Sequence, residues 1–182
     1  MSHPESLRAD CARCQGLCCV SYPFDRSEWF SFDKAADEPC RHLEPDHGCA
    51  EHARLTEMGN GGCANYDCYG AGQRVVEELY RGAAWRSDAA LAREMFATFR
   101  SLRDVHELRL LLHEAGRLPL SPAQAAEHEQ LLRVLEPRAG LDVQTLLALD
   151  VASVRRIAHA FLRGLAKTIE PSQGRRRLTL AR

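Results

Sequence analysis

Apolar residues follow two different patterns along this chain, and the change comes near residue 72. Beyond it they recur at intervals of three and four, the period that gathers them on one face of a helix. A first helix is predicted over 73–81, from Gln73 to about Tyr80, closed by Gly82. A longer one is predicted near 88–115, with Ser87 or Asp88 as its cap, Leu91, Met95, Phe99 and Leu102 as its stripe and Gly116 at its end. Leu118-Pro119-Leu120-Ser121-Pro122 reads as a rigid connector. After it Ser121 can cap a helix near 122–136 that carries Leu131, Leu132 and Leu135 and stops before Pro137. Asp142 opens the last pattern, near 143–169, where Leu147, Val151, Val154, Ala158, Phe161 and Leu165 follow a 4-3-4-3-4 spacing suited to packing against other helices. Asp150 offers an alternative restart within it, Glu170-Pro171 ends it, and the tail Gly174-Arg175-Arg176-Arg177 is expected to be mobile.

Residues 1–72 show no such period; they are rich in Cys, Gly, Pro, Asp and His, with only short apolar stretches such as Trp29-Phe30. Loop-rich regions of this kind bury little apolar surface and usually depend on disulfides or metals. The expected fold is therefore mainly α: a loop-rich, cysteine-ligated metal module at 1–72, packed on a C-terminal helical bundle at 73–182. A chain of 182 residues is long enough to bury an adequate core without a staple.

Charge divides at the same place. Residues 1–72 hold six Lys/Arg against twelve Asp/Glu, and residues 73–182 hold eighteen against thirteen. The basic groups of the second half are interleaved with acids rather than gathered on one face, which argues against nucleic-acid binding. No apolar run approaches the roughly 18 residues that would cross a bilayer, so no membrane role is expected. The start, MSHPESLRADCARC, lacks a charged-then-apolar leader, and the expected compartment is the cytoplasm.

All eight cysteines precede residue 70: Cys11, Cys14, Cys18, Cys19, Cys40, Cys49, Cys63 and Cys68. The first three are spaced two and three residues apart, and a turn containing Gly16 can bring such thiolates to one point, about 2.3 Å from a zinc ion. The same tripod would serve a 4Fe-4S cluster, which often takes a fourth ligand from far along the chain. Neighbouring side chains in extended backbone point to opposite faces, so Cys18 and Cys19 are expected to serve different ends: one the first centre, the other a second centre or none. Cys63 and Cys68 can approach through the turn of Gly59-Asn60-Gly61-Gly62 and join Cys40 and Cys49. Imidazole is a normal zinc ligand, which makes His52, three residues after Cys49, a possible substitute for a thiolate. His42 and His47 are near enough to be considered, although outer placement is the simpler reading for all three. The even cysteine count also permits four disulfides, but a reducing cytoplasm opposes them.

The runs Cys11-x2-Cys14-x3-Cys18-Cys19, Pro39-Cys40-x2-Leu43, Gly48-Cys49-x2-His52-x-Arg54-Leu55 and Cys63-x4-Cys68 resemble the YkgJ-type cysteine-cluster family of zinc- or iron-chelating proteins. The chain departs from that pattern at His52, where the family often has Tyr, and at Leu55-Thr56, where an Arg-Pro pair is common. The stretch from Cys11 to His106-Glu107-Leu108 is similar to the front part of actinobacterial pentapeptide-repeat proteins, without the five-residue repeat. Flagellin lysine N-methylases carry a related cluster associated with a 4Fe-4S centre, so the resemblance also implies an iron-sulphur protein with a redox or methyl-transfer-related role.

Two other features carry less. Gly70-Ala71-Gly72 lacks the Lys-Ser/Thr of a phosphate-binding loop and reads as a turn into a helix. His106 and His113 share one face of the long helix without the Glu-x-x-His order of a bundle metal site, and both are read as solvated polar positions. The expected function is a cysteine-cluster metal-binding protein, zinc or iron-sulphur, whose metal organises the fold and presents a surface to a protein partner.

Overall fold

The computed structural model describes residues 4–137 and 140–169. The tail for which mobility is expected, Gly174 to Arg177, lies outside the described residues. Among them are seven α-helices and no β-strand, the mainly helical architecture expected from the sequence. The only sheet-like pairings there are two isolated antiparallel bridges, Phe24 with Lys34 and Leu43 with Cys49.

Three helices are short: α1 (Leu17–Ser21), α2 (Gly61–Ala64) and α3 (Ala71–Arg74), the last continuing as one wide π turn, Val75–Leu79. The other four are α4 (Ala89–Ala115), α5 (Pro122–Leu135), α6 (Val143–Ala148) and α7 (Val151–Ile169). With 27 residues α4 is about 40 Å long at 1.5 Å per residue. It is the spine of the molecule, packing against α1, α3, α5, α6 and α7. That central position buries it on several sides, and Met95, Phe96, Phe99, Leu102, Val105, Leu108 and Leu112 are all nearly inaccessible. Each such side chain contributes about 1.5–3 kcal/mol of apolar burial.

The helix ends follow local chemistry. Asp88 accepts from the backbone N–H of Leu91 at 2.7 Å, which satisfies one of the free donors of the first turn of α4. Ser121 and Gln124 exchange side-chain-to-backbone bonds at the start of α5, with Pro122 in the first helical position. The last predicted helix is two helices, and the alternative start at Asp150 is the one used: its carboxylate accepts from Ser153 N at 3.0 Å. Leu149, extended at φ −69 and ψ 123, makes the break. The break resets the helical phase, so Leu146 is fully buried while Leu147, expected on the seam, is 40 % exposed.

One continuous core runs from the cysteine-rich segment into the bundle: Leu17, Val20, Cys68, Ala71 and Val75 pack in the same cluster as Phe99, Leu102, Leu135 and Phe161. His106, expected in solvent, stands inside it at 0 % exposure. Its Nδ1–H donates to the Tyr69 carbonyl at 2.7 Å, and its Nε2 accepts from Arg74 Nη1 at 3.2 Å. Both ring nitrogens are thus satisfied in the neutral form, and burial pushes its pKa down to about 3. His113 is exposed, as expected.

Candidate metal centre

The cysteine-bearing segments are shaped by tight turns. Asp10 accepts from Ala12 N at 3.1 Å and starts the 3-10 turn Cys11–Arg13. Gly16, at φ +64, then admits the chain to α1. A Cβ there would lie 2.7 Å from Leu43 Cδ1 and 3.0 Å from the His47 carbonyl, so glycine is required both by conformation and by the loop that presses on it. α1 carries Cys18 and Cys19, and its backbone reaches the next segment through Cys40 N–H donating to Cys19 O at 2.9 Å. The Leu43–Cys49 bridge closes the following loop. Cys63 lies within α2 instead of following a loose glycine turn. Cys68 precedes α3, whose Gly72 sits so close to Cys14 that a Cβ would be 2.6 Å from that residue's own Cβ. The expected turn into a helix at Gly70-Ala71-Gly72 is present, with Gly70 at φ +76.

All eight cysteines are free thiols. Six of them, Cys11, Cys18, Cys19, Cys40, Cys49 and Cys63, line one cavity of about 180 Å³. Cys14 and Cys68 are buried beside it. Electrostatics sorts the sulphurs into two neighbouring sets. Burial pushes the Cys14 thiol up to about 11, with Cys11 and Cys68 adding to the rise. Burial also pushes Cys63 up to about 11, and there the added influence comes from Cys19, Cys40 and Cys49. The adjacent pair stands at the join, with the two Sγ atoms 3.9 Å apart. Their shared hydrogen bond raises Cys18 and lowers Cys19, and the Lys34 ammonium favours the Cys19 thiolate further. Among the described residues no three His, Cys, Asp or Glu side chains close on a common point in the manner of a single chelated ion. The thiols stand instead around a space larger than the roughly 10–15 Å³ that one water needs.

His42 and His52 also line the cavity, His52 as an exposed residue and His42 with its ring edge-on to Phe32 at 5.5 Å. His47 does not; its ring lies 5.9 Å from that of Trp85. The remaining walls are aromatic. The small loop closed by the Phe24–Lys34 bridge brings Phe24, Phe30 and Phe32 to one side, and Tyr22 and Tyr66 are also in the lining. Phe30 rests on Gly62, where any Cβ would come within 2.2 Å of the ring.

Three polar groups at this site carry no spacing signal in the sequence. Lys34 is 7 % exposed, and its ammonium donates to the carbonyls of Val20 (3.0 Å), Tyr22 (2.8 Å) and Ala35 (3.0 Å). It satisfies free carbonyls at the end of α1 and places a positive charge beside Cys19 and Cys40. Asn60 is 1 % exposed and holds the Trp29–Phe32 loop through its Oδ1, which accepts from Ser31 N and Oγ at 3.1 and 3.0 Å. The Tyr66 hydroxyl is buried with Tyr22 beside it, and burial raises its pKa. Soft sulphur donors and aromatic walls form a lining that would suit a thiolate-bound metal or cluster.

No family model matches the chain, so the resemblance to YkgJ-type proteins rests on cysteine spacing alone. No solved structure matches it either. The chain is similar to a Bacillus subtilis (strain 168) protein described as uncharacterized protein YybG, with 36 % identity over 156 residues. That match takes in 86 % of this chain, so it reaches well into the helical half, and the chain spans 56 % of the relative's length.

Proposed function

We propose that this is a cysteine-cluster metal-binding protein in which zinc or an iron-sulphur cluster organises the amino-terminal fold and a surface for a protein partner. The observation that carries the reading is the convergence of six thiols, from five separate stretches of chain, on one aromatic-walled cavity. Cys11, Cys14, Cys18 and Cys68 would form one donor set, and Cys19, Cys40, Cys49 and Cys63 the other, with His52 at the cavity mouth as a possible substitute. Bound metal would supply cross-links between turns that share little apolar core, because metal affinity in such a region becomes folding free energy. Lys34 would offset part of the thiolate charge. Trp29, 53 % exposed on the aromatic loop beside the cavity, suits a protein contact, since tryptophan is enriched at interfaces.

A second reading, an iron-sulphur protein with a redox or methyl-transfer-related role, is favoured by the size of the cavity, which exceeds the needs of one ion. Protein purified without oxygen should be brown and bleach on reduction if the cluster reading holds, and colourless with stoichiometric zinc if the structural-ion reading holds. In either case complete chelation should collapse the circular dichroism and lower the melting temperature. Unchanged spectra and melting after metal removal would refute the organising role.

A further inference from the structure

A second cavity lies between the carboxyl-terminal half of α4, α5 and the 3-10 turn Glu5–Leu7. Its volume is about 480 Å³, within the roughly 300–1,000 Å³ typical of small-molecule sites. No cysteine lines it; its polar lining is Ser6, Arg109, His113, Arg117, His128 and Glu136, set against Leu7 and Leu132.

Arg109 is the unusual member. It is 7 % exposed, on a stretch of α4 whose neighbours Leu108 and Leu112 are core residues. A guanidinium offers five N–H donors in a planar fork that matches a carboxylate or phosphate through two parallel bonds. Here the fork is half used. Nη2 donates to Glu136 Oε2 at 2.6 Å, while Nη1 is buried with no hydrogen-bond partner. Glu136 is a half-exposed counter-ion, its side chain 49 % exposed at the C-cap of α5. Arg117, 63 % exposed, pairs with Glu114 at 3.3 Å. His128 Nε2–H donates to the Leu112 carbonyl at 2.7 Å, which turns the ring to face α4. His113 is exposed. Arg74 and Glu78, opposite in sign, also act on Arg109, Arg74 the more strongly. Nη1 is closed off from solvent, so an entering anion would take the edge of the guanidinium that Glu136 now holds.

We propose that this cavity binds a small molecule bearing a carboxylate or phosphate group, anchored on the Arg109 guanidinium, with Glu136 as the internal carboxylate that holds the anchor in the free protein. The Glu136 carboxylate shows that an oxyanion is accepted there, and the apolar side, Leu7 and Leu132, suits a ligand with a carbon body. The site is independent of the cysteine cluster.

Calorimetric titration of the full chain, in its metal state as purified, with inorganic phosphate and with citrate tests the proposal, using potassium chloride at matched ionic strength as the blank. The expected result is saturable binding of at least one of the two anions. It should weaken tenfold or more in Arg109→Gln, strengthen several-fold in Glu136→Gln, where the internal competitor has lost its charge, and stay unchanged in Arg133→Gln on the outer face of α5. Preference for phosphate assigns a phosphoryl ligand and preference for citrate a carboxylate one. If Arg109→Gln does not fold, the Glu136→Gln comparison decides alone. No saturable binding to the unaltered protein, binding unaffected by the folded variants, or equal heats with chloride would overturn it.

Discussion

Between Pro4 and Tyr69 the chain turns at almost every step, and its longest helix has five residues; between Ala89 and Ile169 four helices account for nearly everything described. The two regions are held by different means. The helical region is mainly a packing problem solved around α4 by buried Phe99, Leu102, Leu108 and Leu112, with Thr98, His106 and Arg109 as the polar groups buried on that helix. The amino-terminal region is a hydrogen-bond problem, solved by single side chains that reach distant backbone: Lys34 to the end of α1, Asn60 to Ser31, and Gln73 to Arg8 O at 2.7 Å. Arg100 of α4 joins the two by donating to Ser21 O at 2.8 Å. The difference teaches that the first region depends on a few irreplaceable groups, whereas the second spreads its stability over many.

That contrast can be strained from each side. The largest effect is expected in the packed region: Leu102→Ala, at a position with 0 % exposure, should lower unfolding stability by about 3 kcal/mol through lost burial and a cavity, read by denaturant titration. A loss well under 1 kcal/mol would mean that α4 is not the centre of a tight core. In the turn-rich region Lys34→Met keeps much of the volume but removes three charge-assisted bonds and leaves buried carbonyls unmet. It should cost about 2 kcal/mol and, unlike Leu102→Ala, should also weaken retention of bound metal against a chelator. Equal metal retention in the two variants would erase the distinction.

The smallest expected effect sits on the seam between the regions. His106 has its folded pKa pushed down to about 3 by burial, against about 6.5 when unfolded, so the unfolded chain takes up a proton first as pH falls. Its contribution is therefore complete above about pH 6.5 and is lost progressively toward pH 3, amounting to about 1 kcal/mol at pH 5.5. His106→Gln should be less stable at neutral pH yet show a shallower decline between pH 6.5 and 5 than the unaltered protein. Parallel pH profiles would place that titration elsewhere.

The helical region was largely legible in the sequence, because caps and periodicity are local and one-dimensional. Asp88, Ser121-Pro122 and Asp142 mark true helix starts, and Leu131, Leu135, Ala158 and Phe161 are buried as their spacing requires. Periodicity failed where the backbone broke: the turn at Leu149 moved the buried position from Leu147 to Leu146. It failed again at His106, since nothing in the spacing of a polar residue on α4 announces that the Tyr69 carbonyl and Arg74 wait on the other side. The site was legible as a set of thiols, but the expected divergence of Cys18 and Cys19 failed, because they lie on α1 rather than in extended backbone and their Sγ atoms stand 3.9 Å apart in one cavity. Lys34 and Asn60 were not legible, because their partners are backbone and side-chain groups distant along the chain, and such pairings leave no trace in local pattern.

Metal content measured on protein purified without oxygen tests the central claim most directly. The account predicts stoichiometric zinc, or iron with acid-labile sulphide, reduced when Cys11→Ser or Cys63→Ser is introduced and accompanied by few thiols free to react with a sulphydryl reagent. Protein that folds normally with no bound metal and with its thiols freely reactive would contradict it.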